Sequence, residues 1–208
     1  MLNKLLVVLL IVTGFSLVSV TSVVADIAPY DPRQLINNAV AKLNPIVEEG
    51  HSYFEEDPDR LYANVNDLLE TFFDFDAFAR GVMGNHFSSV SKAQKANFTT
   101  ILQRSLVRTF TKGMISLGAY SVNLLPPTAA KQQSTRARVT MQVTSADARH
   151  EMTYSLVRNE NKSWRVRNLV FDGVNIGLSF RSQFANQASN SAGNIDEVIN
   201  NWEISIDQ

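Results

Sequence analysis

The chain has 208 residues, 19 of them basic and 20 acidic, for a formal charge of −1, and it contains no cysteine. That balance excludes the strong basic excess of a nucleic-acid binder. The lack of cysteine excludes a disulfide framework, thiolate metal sites and cysteine catalysis. A hydrophobic content of 45% excludes a disordered chain.

Residues 1–25 read as a secretory signal peptide. Lys4 supplies the positive start, Leu5 to Val12 is an unbroken apolar run, and Val23-Val24-Ala25 suits a cleavage site. Polar residues from Thr13 to Ser22 thin out the run, and no basic stop-transfer cluster follows, which argues against a membrane anchor. The reading is therefore export to a periplasm, where a cysteine-free protein with a core of its own is ordinary. Lys4 is the only charge removed, so residues 26–208 carry −2 and suit a single domain.

Helices come first. Asp31-Pro32 is a helix start, with Asp as N-cap and Pro at the first helical position. Leu35, Ala39, Leu43 and Ile46 follow at helical spacing, with a kink or break expected at Pro45. Asp57-Pro58 repeats the start signal, followed by the stripe Leu61, Val65, Leu68, Leu69 and Phe72. A short element from Phe75 to Gly84 ends at its glycine. Ser91-Lys92-Ala93-Gln94 fits a capping box and opens the longest helix, to about Leu117, with the stripe Phe98, Ile101, Leu102, Leu106, Phe110, Met114 and Leu117.

Strands follow. Tyr120 to Leu125 is closed by Pro126-Pro127. Arg136 to Thr144 alternates cleanly, Met152, Tyr154 and Leu156 alternate in the next strand, and Trp164 to Phe171 returns. Turns at 145–148 and 159–162 imply an antiparallel meander. Arg136, Arg138, Arg165 and Arg167 make the outer sheet face basic, either a solvated face or a docking face for an acidic partner or lipid headgroups. Leu169 and Phe171 share the parity of Arg165 and Arg167, so the last strand either bulges or is buried on both sides at its end. One helix begins near Asn175 and another at Asn194, the latter with Ile195, Val198, Ile199 and Trp202 on one stripe. The tract from Ala185 to Ala192 between them is polar and reads as mobile. The expected fold is α+β: several helices packed on a curved, antiparallel, four-stranded sheet, an NTF2-like cone enclosing an apolar cavity.

Chemistry-bearing clusters are sparse. His51, His86 and His150 each stand alone, Asp74 and Asp76 do not converge on one helix face, and no GxGxxG or phosphate-loop spacing occurs. The inward faces instead form an apolar constellation that can serve as core or as pocket lining. A cavity enzyme of the ketosteroid-isomerase type needs a carboxylate or histidine pointing inward, and the inward strand positions offer only Tyr154 as a polar group. A chaperone or adaptor needs exposed aromatic patches instead.

Three stretches resemble the MlaC, or toluene-tolerance, family. Phe75-Asp76-Ala77-Phe78-Ala79-Arg80-Gly81-Val82-Met83-Gly84-Asn85-His86-Phe87 is similar to its Ala-x-x-Val-Leu-Gly-x-aromatic-aromatic segment, with Met83 for the usual Leu and His86-Phe87 for a Tyr/His-Trp pair. Ser91 to Phe98 is similar to its Thr/Ser-x-x-Gln-Arg-x-x-Phe helix start, and Trp164 to Phe184 to its strand-to-helix ending. The likeness runs from about residue 31 to residue 204, and Pro45 departs from the family's uninterrupted first helix.

The resemblance implies a soluble periplasmic carrier with no catalysis, metal or cofactor, whose cargo is phospholipid. Its implied partners are an outer-membrane lipoprotein complex and an MCE-domain protein of an inner-membrane ABC transporter, and its implied role is maintenance of outer-membrane lipid asymmetry. On this reading the expected lipid-binding lining is Phe78, Val82, Phe98, Leu102, Phe110, Met114, Val139, Met141, Met152, Tyr154, Phe171, Val174 and Phe180.

Overall fold

The structure is a computed structural model that describes residues 31–127 and 135–203, so the expected signal peptide lies outside the described residues. Its helices are α1 (Pro32–Gly50), α2 (Pro58–Glu70), α3 (Phe75–Met83), α4 (Lys92–Ser116), α5 (Ile176–Asn190) and α6 (Ile195–Asn200). Its strands are β1 (Tyr120–Leu124), β2 (Arg136–Ser145), β3 (Arg149–Arg158), β4 (Trp164–Phe171) and β5 (Val174–Asn175). The start signals in the sequence act as caps. Side chains of Asp31, Asp57, Asp74, Asn175 and Asn194 each accept a bond from an N–H in the first turn of the helix that follows. At α4 both halves of the capping box form: Ser91 Oγ accepts from Gln94 N at 3.1 Å, and Ser91 N donates to Gln94 Oε1 at 2.8 Å.

Three expectations need correction. The first helix does not break at Pro45; α1 runs through it to Gly50. Pro45 and Ala41 both lie on the exposed side, where water can satisfy the carbonyl that the proline leaves without a donor. The tract from Ala185 belongs to α5 as far as Asn190. Ala188, at helical spacing from the buried Phe180 and Phe184, is itself 2% exposed, and the polar side chains simply occupy the other face.

The sheet has five antiparallel strands rather than four, in the order β1-β2-β3-β4-β5. Its edges are β1 and β5, so the sheet is open. The fifth strand is made by a two-residue hairpin at Asp172-Gly173, with φ of 46° and 82°. Positive φ at both positions is what an Asp-Gly hairpin loop requires.

The parity conflict in β4 resolves as a bulge. Ser155 pairs with Asn168 but Leu156 pairs with Val166, so Arg167 is the extra residue. Before the bulge Val166 points inward; after it Leu169, opposite Tyr154, and Phe171, opposite Met152, do so.

The apolar interior has two main bodies. One is formed by α3, the N-terminal half of α4, α5 and α6 around Phe98, Phe180, Phe184 and Trp202. The other lies between the inner sheet face and α1 and α2, around Ile36, Phe72, Val139, Met152 and Val166. A smaller group, Leu61, Val65 and Val107, joins α2 to α4.

Candidate functional site

An apolar cavity of about 90 Å³ lies in the second body. Helix α1 contributes Ile36, Ala39, Val40 and Leu43, α2 contributes Leu68 and Leu69, and α4 contributes Leu106 and Phe110. The sheet contributes Met141, Met152, Tyr154 and Leu169, and Ile176 enters from the start of α5. Phe72, Phe73, Phe75 and Phe78 form the remaining wall. No lining side chain carries a charge, and the hydroxyl of Tyr154 is the only polar side-chain group. Burial of Tyr154 raises its pKa far above that of a free tyrosine, so it stays neutral across physiological pH.

The phenylalanine wall is fixed by the bulged strand. Val166 N donates to Phe72 O and Val166 O accepts from Asp74 N, both at 2.8 Å. The guanidinium of Arg165 donates to the carbonyls of Glu70, Thr71 and Phe73 at 2.8–3.0 Å, which places a cation at the carbonyl end of α2. Arg167 Nε meets Asp74 Oδ2 at 2.9 Å while Asp74 Oδ1 caps α3. Two of the four arginines expected on an outer basic face thus hold the wall; Arg167 does so while still exposed, as Arg136 and Arg138 are. Rings of the wall touch one another: Phe73 lies 4.7 Å from Phe75 and 5.5 Å from Phe78, and Phe78 leads on to Phe180 at 6.2 Å.

Ile176 is positioned by an asparagine pair. Asn168 Nδ2 donates to Asn175 Oδ1 at 2.9 Å, Asn168 Oδ1 accepts from Gly177 N at 3.1 Å, and Asn175 Oδ1 accepts from Leu178 N. These bonds pin the start of α5 to β4.

Of the residues expected from sequence to line a pocket, Phe78, Phe110, Met141, Met152 and Tyr154 do line this cavity. Val82, Phe98, Leu102 and Phe180 are buried in the aromatic body instead. Val139 is fully buried in the sheet-side core, and Met114 is buried on α4. Phe171 packs at the sheet-side core with its ring stacked on His150, centroids 5.1 Å apart. Val174 is 53% exposed on the edge strand β5. Most lining residues from α1, α2 and the phenylalanine segment were not singled out. Ala39, Leu43, Leu68, Leu69 and Phe72 were visible as helix stripes, but periodicity does not say whether a stripe meets side chains or a gap.

The apolar cavity itself is lined by no histidine or carboxylate. His150 Nδ1 donates to Asp172 Oδ2 at 2.7 Å, His86 packs at Phe184 and His51 caps α1, so no histidine lines the cavity. Among the described residues no group of three or more histidines, aspartates or glutamates is placed to hold a metal ion. The exposed large hydrophobics there are Val174 and Leu178, which do not make an aromatic client-binding patch. No described helix is long and apolar enough to cross a membrane.

Comparison with known proteins places this arrangement. The toluene tolerance protein ttg2D of Pseudomonas putida is 25% identical over 178 residues, covering 85% of this chain and 81% of that protein. The solved structure of the phospholipid-binding protein from Ralstonia solanacearum, in complex with a phospholipid, superposes with a TM-score of 0.74 at 18% identity, covering 82% of this chain and 94% of that one, so the fold is shared. Residues 37–204, which hold every element that builds the cavity except the first turn of α1, match the model of the MlaC protein family, and the chain belongs to that family.

Proposed function

We propose that this protein is a periplasmic phospholipid carrier that takes the acyl chains of its cargo between α1, α2 and the inner sheet face. The observation that carries the reading is a cavity whose lining is apolar throughout save one hydroxyl. Family membership supports it, as do relatives named for toluene tolerance and for phospholipid binding.

The need for such a cover is large. At about 0.8 kcal/mol per methylene, one long acyl chain exposed to water costs on the order of 10 kcal/mol. A carrier that covers the chains can leave the headgroup wet, which agrees with a lining free of charge.

Pockets for ligands of moderate size run to about 300–1,000 Å³, so a cavity of about 90 Å³ must widen to hold a lipid. The lining suits that: Met141 and Met152 are flexible, and the helix wall meets the sheet through non-directional apolar contacts. The proposed route runs between an outer-membrane lipoprotein complex and an MCE-domain protein of an inner-membrane ABC transporter, in the service of outer-membrane lipid asymmetry.

The test is native mass spectrometry of the exported protein, purified from periplasm without detergent, with parallel lipid extraction. The expected result is a discrete mass increment that extracts as phospholipid. A protein that carries no lipid and takes none from vesicles overturns the reading.

A further inference from the structure

Tyr154 is out of place in a cavity built for hydrocarbon. Its side chain points inward from the middle of β3, between Val139 of β2 and Leu169 of β4. It is half-buried and lines the cavity, and its hydroxyl has no hydrogen-bond partner among the described residues. Phenylalanine would fill the same volume with no hydroxyl to satisfy, and a hydroxyl that faces apolar side chains without a partner is costly. A buried water needs two to four polar partners, and this lining offers it one.

We infer that the Tyr154 hydroxyl donates a hydrogen bond to an acyl carbonyl oxygen of the cargo and so fixes how deep the lipid sits. The inference rests on the carrier reading above. The chemistry is complementary: an ester carbonyl accepts but cannot donate, and a phospholipid brings no donor of its own to the ester region. Tyr154 offers a donor, and as a neutral phenol it neither attracts nor repels charge. A carbonyl drawn into the cavity without this donor would lose its hydration for nothing, so a purely apolar pocket would disfavour the diester relative to a diether of the same chains. With the donor the preference reverses. A free fatty acid offers the same carbonyl, and its carboxyl group is the alternative source of the bond.

The experiment is a competition needing no change to the protein in its first arm. Full-length exported protein is incubated with vesicles of equimolar diacyl phosphatidylglycerol and its dialkyl-ether analogue, doped with palmitic acid. The protein is then recovered and its bound lipids are quantified. The expected wild-type ratio of diester to diether is about fivefold, the size of one net hydrogen bond. In Tyr154→Phe, confirmed as folded by its chemical-denaturation transition, the ratio falls to one or below. A wild-type ratio of one, or a preference that survives in Tyr154→Phe, overturns the inference while leaving the carrier intact. A substitution that lowers only the palmitic acid content overturns the phospholipid ester as the acceptor. Failure of both lipids to bind removes the carrier reading itself, and this inference with it.

Discussion

The two bodies of the apolar interior are made of similar residues and are packed to different ends. In the body formed by α3, α4, α5 and α6, rings close on each other. Phe98 lies 5.0 Å from Phe184 and 5.3 Å from Trp202 in edge-to-face pairs, and Phe184 lies 5.8 Å from Trp202. Phe98, Phe180 and Phe184 are almost completely buried. In the body between α1, α2 and the sheet, the same kind of side chain leaves a cavity of about 90 Å³. Interiors are normally as dense as organic crystals, so the second body gives up contacts that the first one makes. The contrast assigns the aromatic body to stability and the sheet-side body to adaptability, with Phe78 belonging to both.

Truncating one ring in each body is the sharpest way to break that contrast. Phe98→Ala removes a fully buried ring that touches two others and is expected to cost about 3–5 kcal/mol in chemical denaturation. Phe110→Ala removes a half-buried ring that already borders the cavity, and it is expected to cost about 2 kcal/mol or less, because fewer contacts are lost. Equal losses would erase the distinction. The converse substitution fills the gap: Ala39→Phe adds a ring from α1 into the cavity. Stability is expected to change by about 1 kcal/mol or less, below the 1–3 kcal/mol of overpacking a solid core. Lipid recovered per protein is expected to fall about tenfold, since the ring competes with the chain for the same space. Undiminished lipid would place the binding site elsewhere.

The division between the bodies was only half visible in the sequence. Local chemistry was legible wherever a residue acts on its own neighbours. Asp31, Asp57, Ser91 and Asn194 cap the helices they precede, and β2 follows its alternation from Ala137 to Val143. The Asp172-Gly173 pair carries the hairpin signal for β5, but two residues of strand show no alternation in the sequence. What was not legible depends on distant partners. Phe98 and Phe110 belong to one i, i+4 row along α4, yet one meets Phe184 and Trp202 and the other meets the cavity. Their spacing is identical in kind; the difference is made by which element arrives from elsewhere in the chain. Arg165 is similar. Its parity places it on the outer face, but the carbonyl end of α2, nearly a hundred residues earlier, draws its guanidinium away.

A smaller effect sharpens the stability side of the comparison. Gly84 closes α3 at φ +55°, beneath the aromatic body, and a Cβ there would lie 2.6 Å from Arg181 Nε. The arginine tip can move aside, so the cost of Gly84→Ala is mainly that of an L-residue at φ +55°, ψ −123°, outside the left-handed helical well, about 1–3 kcal/mol. Cavity and lipid loading are expected to be unaffected. A loss of loading without a loss of stability would show that the two bodies are coupled through α3.

The smallest effect lies at the open end of the sheet-side body, where the β4–β5 hairpin is tied back to β3. Asp172 accepts from His150 Nδ1 and from Glu151 N, both at 2.7 Å, and these bonds hold its carboxyl below the usual aspartate range, the His150 bond contributing most. A carboxylate with a depressed folded pKa adds stability that is fully present above its unfolded value. That stability is lost as pH falls from about 4 through the lower folded value. The Asp172 side chain is 42% exposed, so water screens the interaction and its worth stays under about 1 kcal/mol. Asp172→Asn removes the titration while keeping the shape. The variant is expected to be slightly less stable than the wild type at pH 6, and the gap is expected to close between pH 4 and pH 2. A gap that stays constant over that range would mean that the hairpin is held by shape alone. The charge would then have no part in anchoring the edge strand beside the cavity.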